Sequence, residues 1–284
     1  YWHFIKLMGR SASHIALECA LQTQPNIAII SEEVEQKQLS LKEIVDNIVK
    51  TVIARSANKE NFGVVLIPEG LVEFIPEIKE LIAKLNDIMG ENESELEKMT
   101  SVVDKKNFVY TKLPANLAAL MKSLPDGIES QLLLDRDPHG NVAVSQIETE
   151  KLLIELVESR LNEMKSNDQF KGKFATQHHF LGYEGRCAFP SNFDADYSYA
   201  LGFTAGLLIM NGKTGYMACV KNLSKPAKEW LSYGVPLTMM MTMEQRHGKL
   251  KPVIKKALVD LNAKPFKTFK AKREKWAIDT SYVY

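Results

Sequence analysis

The stretch "FIKLMGRSASHIALECALQ", residues 4–22, decides how the rest of the chain is read. An apolar run stops at Gly9-Arg10, three small residues follow, and apolar positions resume at helical spacing at Ile15, Leu17, Ala20 and Leu21. A strand that breaks at a glycine and restarts as a helix aims free backbone N–H groups at the turn between them. The pattern recurs downstream. A short apolar run at 26–30 follows Pro25. Leu41, Ile44, Val45, Ile48, Val49, Val52 and Ile53 then recur with the i, i+3, i+4 spacing of an amphipathic helix. Ser40 and Glu43 form a capping-box pair before it. "GVVLI" (63–67) predicts a strand and 75–89 another helix. Strand alternating with helix predicts an α/β fold, a three-layer parallel-sheet unit with crossover helices.

Residues 90–166 are polar, then helical with interruptions, and predict a mostly helical insertion. The α/β pattern returns at 167–225, with a strand in "FATQHHFLGYEGR", a long helix in "FDADYSYALGFTAGLLIM" and a strand in "GYMACVKN". This divides the chain into an α/β domain (1–89 and 167–225), the insertion (90–166), and a basic segment (226–284). The last forty residues read as helix and loop. The Met run at 239–243 reads as core packing.

The net charge of +1 gives no global reason to expect a polyanionic partner, although residues 244–284 hold eleven Lys/Arg against four acids. That excess fits a solvated face packed on something acidic, or an RNA-binding tail whose affinity would fall with salt. Three widely spaced cysteines, Cys19, Cys187 and Cys219, fit reduced, mostly buried thiols rather than a disulfide framework or a zinc site. No apolar run approaches the roughly 18 residues of a membrane span. The chain opens on Tyr1-Trp2-His3 without a basic leader and reads as a segment of a larger protein.

Ligands of parallel sheets sit beyond the carboxyl ends of the strands, and three such turns carry unusual polar residues. Met8, Gly9 and Arg10 combine a tight turn with a guanidinium; Ser11 or Ser13 can cap the helix that follows. Glu69 follows "GVVLI" directly; a carboxylate there can take two sugar hydroxyls, and can equally cap a helix or pair with a lysine. "YEGR" supplies Tyr183, Glu184, Gly185 and Arg186, with Glu184 facing away on an extended chain. Each turn alone suits an ordinary strand–helix connection. Together, two arginines, a glutamate and a tyrosine suit an anion plus hydroxyls, the chemistry of a sugar phosphate. Adjacent His178 and His179 point oppositely on a strand and make a poor metal pair. The sequence holds no HExxH, no Walker loop, no GxGxxG and no nucleophile elbow. A binding half is legible without a catalytic base.

With these turns in view, the chain resembles the long-form pyrophosphate-dependent 6-phosphofructokinases, the group of plant beta subunits and spirochaete enzymes. The resemblance is carried by "YWHFIKLMGRSASHIALECALQ", "GVVLIPEGLVEFIPEI" and "FLGYEGRCAFPSNFDADYSYALG" and extends over essentially the whole chain. It implies that Met8, Gly9 and Arg10 hold fructose 6-phosphate, with Arg10 near the phosphoryl group in transfer. It implies that Glu69 binds sugar hydroxyls and that Tyr183, Glu184, Gly185 and Arg186 form the segment gripping the sugar and its 6-phosphate. Tyr1 would reach the neighbouring subunit's site, in a homodimer or an alpha/beta hetero-oligomer. The reaction implied is phosphoryl transfer from pyrophosphate to the 1-hydroxyl of fructose 6-phosphate, in a cytoplasmic, glycolytic, allosteric enzyme independent of nucleotide. The family's Gly-Gly-Asp loop and "PKTIDGD" segment are absent from this chain. The resemblance therefore assigns Mg²⁺ and the donor to a missing N-terminal part, on which 226–284 would pack, and leaves this chain inactive alone. An ATP-dependent enzyme, a non-catalytic regulatory subunit and a nucleic-acid-binding module are the alternative readings. No nucleic acid or membrane partner is expected.

Overall fold

Six residues of β1 (Trp2–Leu7) alternate between two faces, and that alternation organises the first part of the molecule. A computed structural model describes residues 1–9, 12–99, 101–137, 140–246, 249–254 and 256–282. After β1 come α1 (His14–Thr23), β2 (Ile27–Ala28), α2 (Ser31–Lys37), α3 (Leu41–Ala57) and β3 (Gly63–Pro68). Five helices follow: α4 (Pro76–Glu91), α5 (Glu93–Lys98), α6 (Val102–Lys112), α7 (Ala115–Ser123) and α8 (Asp126–Leu134). Next are α9 (Thr149–Ser166) and β4 (Thr176–Leu181). The four strands form one parallel sheet in the order β2-β3-β1-β4.

Trp2 and Phe4 enter a core shared with Val65, Ile67, α3, α4 and α6–α9. Leu7 and Leu66 enter a second core on the opposite face, with Ala16, Leu17 and Ala20 of α1. The result is the expected three-layer α/β sandwich. Between Glu93 and Ser166 lie helices α5–α9, and apolar residues of α6–α9 belong to the same core as the sheet. The capping box of α3 is formed, with Ser40 Oγ accepting Glu43 N–H at 3.3 Å and Ser40 N–H donating to Glu43 Oε2 at 2.8 Å.

Lys6 is the buried exception on β1. Its Nζ donates to Ile147 O at 2.9 Å, lies 3.7 Å from Glu150 Oε2 and sits 4.6 Å from the Phe180 ring centroid. Those partners tie the middle of the sheet to the start of α9. At the other end of β1, Gly63 is required by close approach: a Cβ there would fall 2.4 Å from the Trp2 ring, which is fully buried. Gly63→Ala is expected to lower stability by about 1–3 kcal/mol, the usual range for overpacking, read as a drop in the urea midpoint at unchanged m.

The contacts divide the chain into Tyr1–Gly185 with Ala257–Tyr284, and Arg186–Lys256. This is not the division expected at 225/226. In the second unit α10 (Asn192–Met210) packs on the antiparallel pair β5 (Tyr216–Lys221) and β6 (Leu231–Pro236). A hairpin follows, β7 (Met241–Arg246) with β8 (Lys249–Ile254). The expectation of helix and loop for the last forty residues, and of a helical segment from 226, is therefore corrected: 231–254 is mostly strand. Pro236, Pro252 and the Met run masked an alternation that the ladder exposes, with Met243 opposite Pro252 and Glu244 opposite Lys251. The Met run is not core within this unit, since Met239, Met241 and Met243 are exposed. Nor are the thiols buried; Cys187 is exposed and the other two are half-buried.

From Ala257 the chain belongs to the first unit, where α11 (Lys264–Ile278) sets Phe266, Phe269 and Trp276 into the second core. Its last carbonyls are held by two buried side chains. Arg55 donates to Ile278 O and Asp279 O, and Asn26 Nδ2 to Trp276 O and Asp279 O, both at 3.0 Å. Its middle is fixed by Arg273, bidentate to Glu33 at 2.5 and 3.0 Å. Burial pushes the Glu33 carboxyl up, but hydrogen bonds from Arg273 and Lys37 outweigh it and hold the group below its ordinary range.

Candidate functional site

Parallel pairing sets the three polar turns side by side. Leu7 is in register with Pro68 of β3 and with Leu181 of β4, so the chain leaves all three strands at the same edge of the sheet. Met8 N–H continues the ladder to Leu181 O at 3.0 Å, and Glu69 N–H continues it to Leu7 O at 3.2 Å. The first and second corners then join directly: Gly9 N–H donates to Glu69 Oε2 at 2.9 Å. Glu69 is only 5% exposed, so this charge-assisted bond forms away from bulk water, where it is worth more. Glycine suits position 9 sterically, because a Cβ would lie 3.3 Å from the carbonyl oxygen of Ala12.

The third corner is a single 3₁₀ turn, Tyr183–Gly185, closed by Gly185 N–H to Gly182 O at 3.2 Å. Glu184 is exposed and folds back, its Oε1 accepting Gly182 N–H at 3.1 Å. Its carboxylate thus shapes the turn. The Met8 side chain reaches this corner, with Cε 3.7 Å from where a Cβ on Gly182 would stand. Tyr183 is 73% exposed. Met8, Gly9, Glu69, Tyr183, Glu184 and Gly185 are accordingly gathered at one rim. Arg10 and Ser11 lie outside the described residues. Arg186 opens the second unit. Tyr1 is at the amino end of β1, its carbonyl accepting Gly63 N–H at 3.2 Å, about 26 Å of extended chain away from Gly9.

Behind the first corner is a buried set the sequence did not signal. Ser13 precedes α1 without capping it. Its Oγ instead accepts Ser31 N–H at 2.9 Å, while its own N–H donates to Glu32 Oε1 at 3.1 Å. The same carboxylate oxygen accepts Val259 N–H at 2.9 Å. Glu32 thereby ties Ser13 to the C-terminal segment. On β4, His178 and His179 do face oppositely; His179 pairs with His3 at 2.9 Å, the rings stacked with centroids 5.2 Å apart. Among the described residues no group of three His, Cys, Asp or Glu could hold a metal ion. None of the described helices is long and apolar enough to cross a membrane.

The fold is a three-layer α/β unit of the phosphofructokinase type, and its rim gathers Gly9, Glu69, Tyr183 and Glu184. Comparison with known proteins gives the relationship. The chain is 56% identical over 284 residues to the pyrophosphate–fructose 6-phosphate 1-phosphotransferase of Treponema pallidum (strain Nichols), covering 100% of this chain and 50% of that protein. It is 51% identical over 283 residues to the beta subunit of the Solanum tuberosum enzyme, covering 100% of this chain and 48% of that one. The alpha 2 subunit of Arabidopsis thaliana is 39% identical over 289 residues, covering 99% and 45%. No family model matches the chain. The chain is a homologue of these phosphotransferases and spans about half the length of the curated relatives it matches.

Proposed function

We propose that the chain is the acceptor-binding half of a pyrophosphate-dependent 6-phosphofructokinase, a glycolytic phosphotransferase of the cytoplasm. Glu69 and Tyr183 take the sugar hydroxyls, Arg186 takes the 6-phosphate, and Met8, Gly9, Glu184 and Gly185 shape the cradle. Arg10 sets its planar fork against the phosphoryl group in transfer, where a delocalised cation stabilises developing charge. In the reaction the 1-hydroxyl oxygen bonds to a phosphorus of pyrophosphate, the bridging P–O bond breaks, phosphate leaves and the hydroxyl proton is lost. This chain's part is to hold that hydroxyl in line. The base that takes the proton, the pyrophosphate and Mg²⁺ are assigned to the part of the protein outside it. The observation that carries the reading is the 2.9 Å bond from Gly9 N–H to Glu69, which makes two of the three turns one surface.

The second unit supports the same division of labour. α10 is mostly apolar from Tyr199 onward, yet Thr204 is its one buried residue, and Tyr199, Ile209 and Met210 are at least three-quarters exposed. Patches of that kind mark interfaces, and the remaining half of the protein is the proposed cover. The naming of alpha and beta subunits among the relatives supports an alpha/beta assembly; a homodimer is the other arrangement of the proposal, and in either Tyr1 is directed to a neighbour.

The test uses the whole protein. Arg186→Ala is expected to raise KM for fructose 6-phosphate at least about tenfold, since a charge-assisted bond contributes roughly 1.5–3 kcal/mol, while KM for pyrophosphate stays within about twofold; Arg10→Ala, which removes a cation from the phosphoryl group in transfer, is expected to lower kcat at least about tenfold. Arg10→Lys should fail too, because a point charge does not replace a bidentate fork. Equal losses for both substrates, or turnover by this chain alone, would refute the assignment.

A further inference from the structure

Lys6 is a buried cation that the proposed chemistry leaves unused, and its surroundings lead to the rim. On β1 it shares a face with Trp2 and Phe4, and parallel pairing sets it beside Phe180 of β4. Two residues further along these chains come Met8 and Gly182, at the edge where Tyr183 stands. An ammonium carries three donors. Ile147 O takes one at 2.9 Å and Ser145 O another at 3.4 Å, both carbonyls of the segment that leads into α9. Glu150 Oε2, at 3.7 Å, is beyond hydrogen-bond distance of the ammonium and has no hydrogen-bond partner among the described residues. The ammonium lies instead over the Phe180 ring, 4.6 Å from its centroid, where the negative face of the ring attracts a cation.

Phe180 is on the outermost strand and 45% exposed, so burial holds it less firmly than it holds a core ring. A cation fixed by two carbonyls supplies what packing does not. Above the ring the third corner begins. A Cβ on Gly182 would stand 3.7 Å from Phe180 Cε1 and 3.7 Å from Met8 Cε, so these two side chains form the floor under Gly182. Gly182 is the hub of the turn: its N–H donates to Glu184 Oε1 at 3.1 Å and its carbonyl accepts Gly185 N–H at 3.2 Å. Whatever sets the height of Gly182 therefore sets the turn that carries Tyr183.

We propose that Lys6 and Phe180 are positioning residues for the acceptor sugar: the ammonium, anchored by the segment before α9, holds the ring beneath Gly182 and so preforms the Tyr183–Gly185 turn. The proposal rests on the reading of that turn as part of the sugar cradle. A preformed turn lowers the ordering cost of binding, so its loss should raise KM and leave the reacting atoms undisturbed. The competing account, in which Lys6 only neutralises Glu150, gives the ring no part.

Variants of the whole protein separate the two. Phe180→Leu keeps an apolar side chain and removes the π face; it is expected to raise KM for fructose 6-phosphate about fivefold, with kcat and KM for pyrophosphate within about twofold. Phe180→Tyr restores the ring and should return KM to within about twofold of its original value. Lys6→Met should match Phe180→Leu, and the double variant should be no worse than either single change. Glu150→Gln removes the anion and leaves the ammonium seated, so it should lower the melting midpoint and leave KM unchanged. If Lys6→Met does not fold, the two Phe180 variants and Glu150→Gln carry the test. Hydrogen exchange at the Gly182 amide, followed without substrate, reads the turn directly; it should be at least about fivefold faster in Phe180→Leu and restored in Phe180→Tyr. Unchanged exchange in Phe180→Leu, or a KM as high in Phe180→Tyr or Glu150→Gln as in Phe180→Leu, overturns the proposal and leaves the sugar cradle standing. Faster exchange with an unchanged KM removes the cradle reading itself, and the proposal with it.

Discussion

Glu69→Ala in the whole protein is expected to lower kcat/KM for fructose 6-phosphate about a hundredfold or more, with KM for pyrophosphate within about twofold of its original value. Two losses combine. On the proposed reading the substrate forfeits a charged acceptor, worth roughly 1.5–3 kcal/mol. The Gly9 N–H, bonded to Glu69 at 2.9 Å in a nearly buried position, loses its acceptor, and the turn at Gly9 loses its brace. Glu69→Gln separates the two. An amide oxygen can still accept from Gly9, so the turn is kept while the charge is removed, and the loss should shrink to about tenfold. Initial rates with each substrate varied in turn check both, alongside a thermal melt of each variant. Loss of pyrophosphate use in step with fructose 6-phosphate use would mean that Glu69 is only a structural brace.

How much of this was legible beforehand follows from where each signal resides. α3 announces itself because its apolar spacing and the Ser40–Glu43 box are local, and both are present as read. The break at Gly9 is local in the same way and marks the end of β1. Nothing local, however, says that Leu7 stands opposite Pro68 and Leu181. That register brings Gly9 to Glu69, and the acceptor–donor pair is backbone to side chain over sixty residues, which no motif records. α2 was missed because "SEEVEQK" is short, polar and uncapped by a side chain, although Glu32 and Glu33 are buried in it. Their partners, Ser13, Val259 and Arg273, come from distant parts of the chain. The hairpin of β7 and β8 was hidden by Pro252, a residue that normally argues against a strand and is tolerated where its missing N–H is not needed.

Removing the Arg55 guanidinium should have the largest effect on stability. Arg55→Met is expected to cost about 3–5 kcal/mol, the range for stripping one partner from a buried ionic cluster. At about 2–4 °C per kcal/mol for a unit of this size, the melting midpoint should fall by roughly 10 °C. The side chain is fully buried, and four groups depend on it. Phe62 O accepts from Nε at 2.9 Å, Ile278 O and Asp279 O accept from one terminal nitrogen, and Thr280 Oγ1 from the other at 3.2 Å. Glu60 adds an ion pair at 3.2 Å. Two of these acceptors are carbonyls at the end of α11, where a cation also meets the negative end of the helix dipole. Arg55→Lys should rescue little, since one ammonium cannot reach acceptors spread around a planar fork. Hydrogen exchange distinguishes this from a general loss of packing: amides of α11 should lose protection while those of α4 and α9 keep theirs. The consequence should reach the sugar-phosphate rim, because Val259, at the head of the same C-terminal segment, shares the Glu32 carboxylate with Ser13. A loosened segment frees one side of that carboxylate and slackens its hold on Ser13, so KM for fructose 6-phosphate should rise a few-fold below the new melting midpoint. If α11 stays protected in Arg55→Met, the clamp is not what holds the C-terminal segment to the sheet, and the coupling to the rim has no physical carrier.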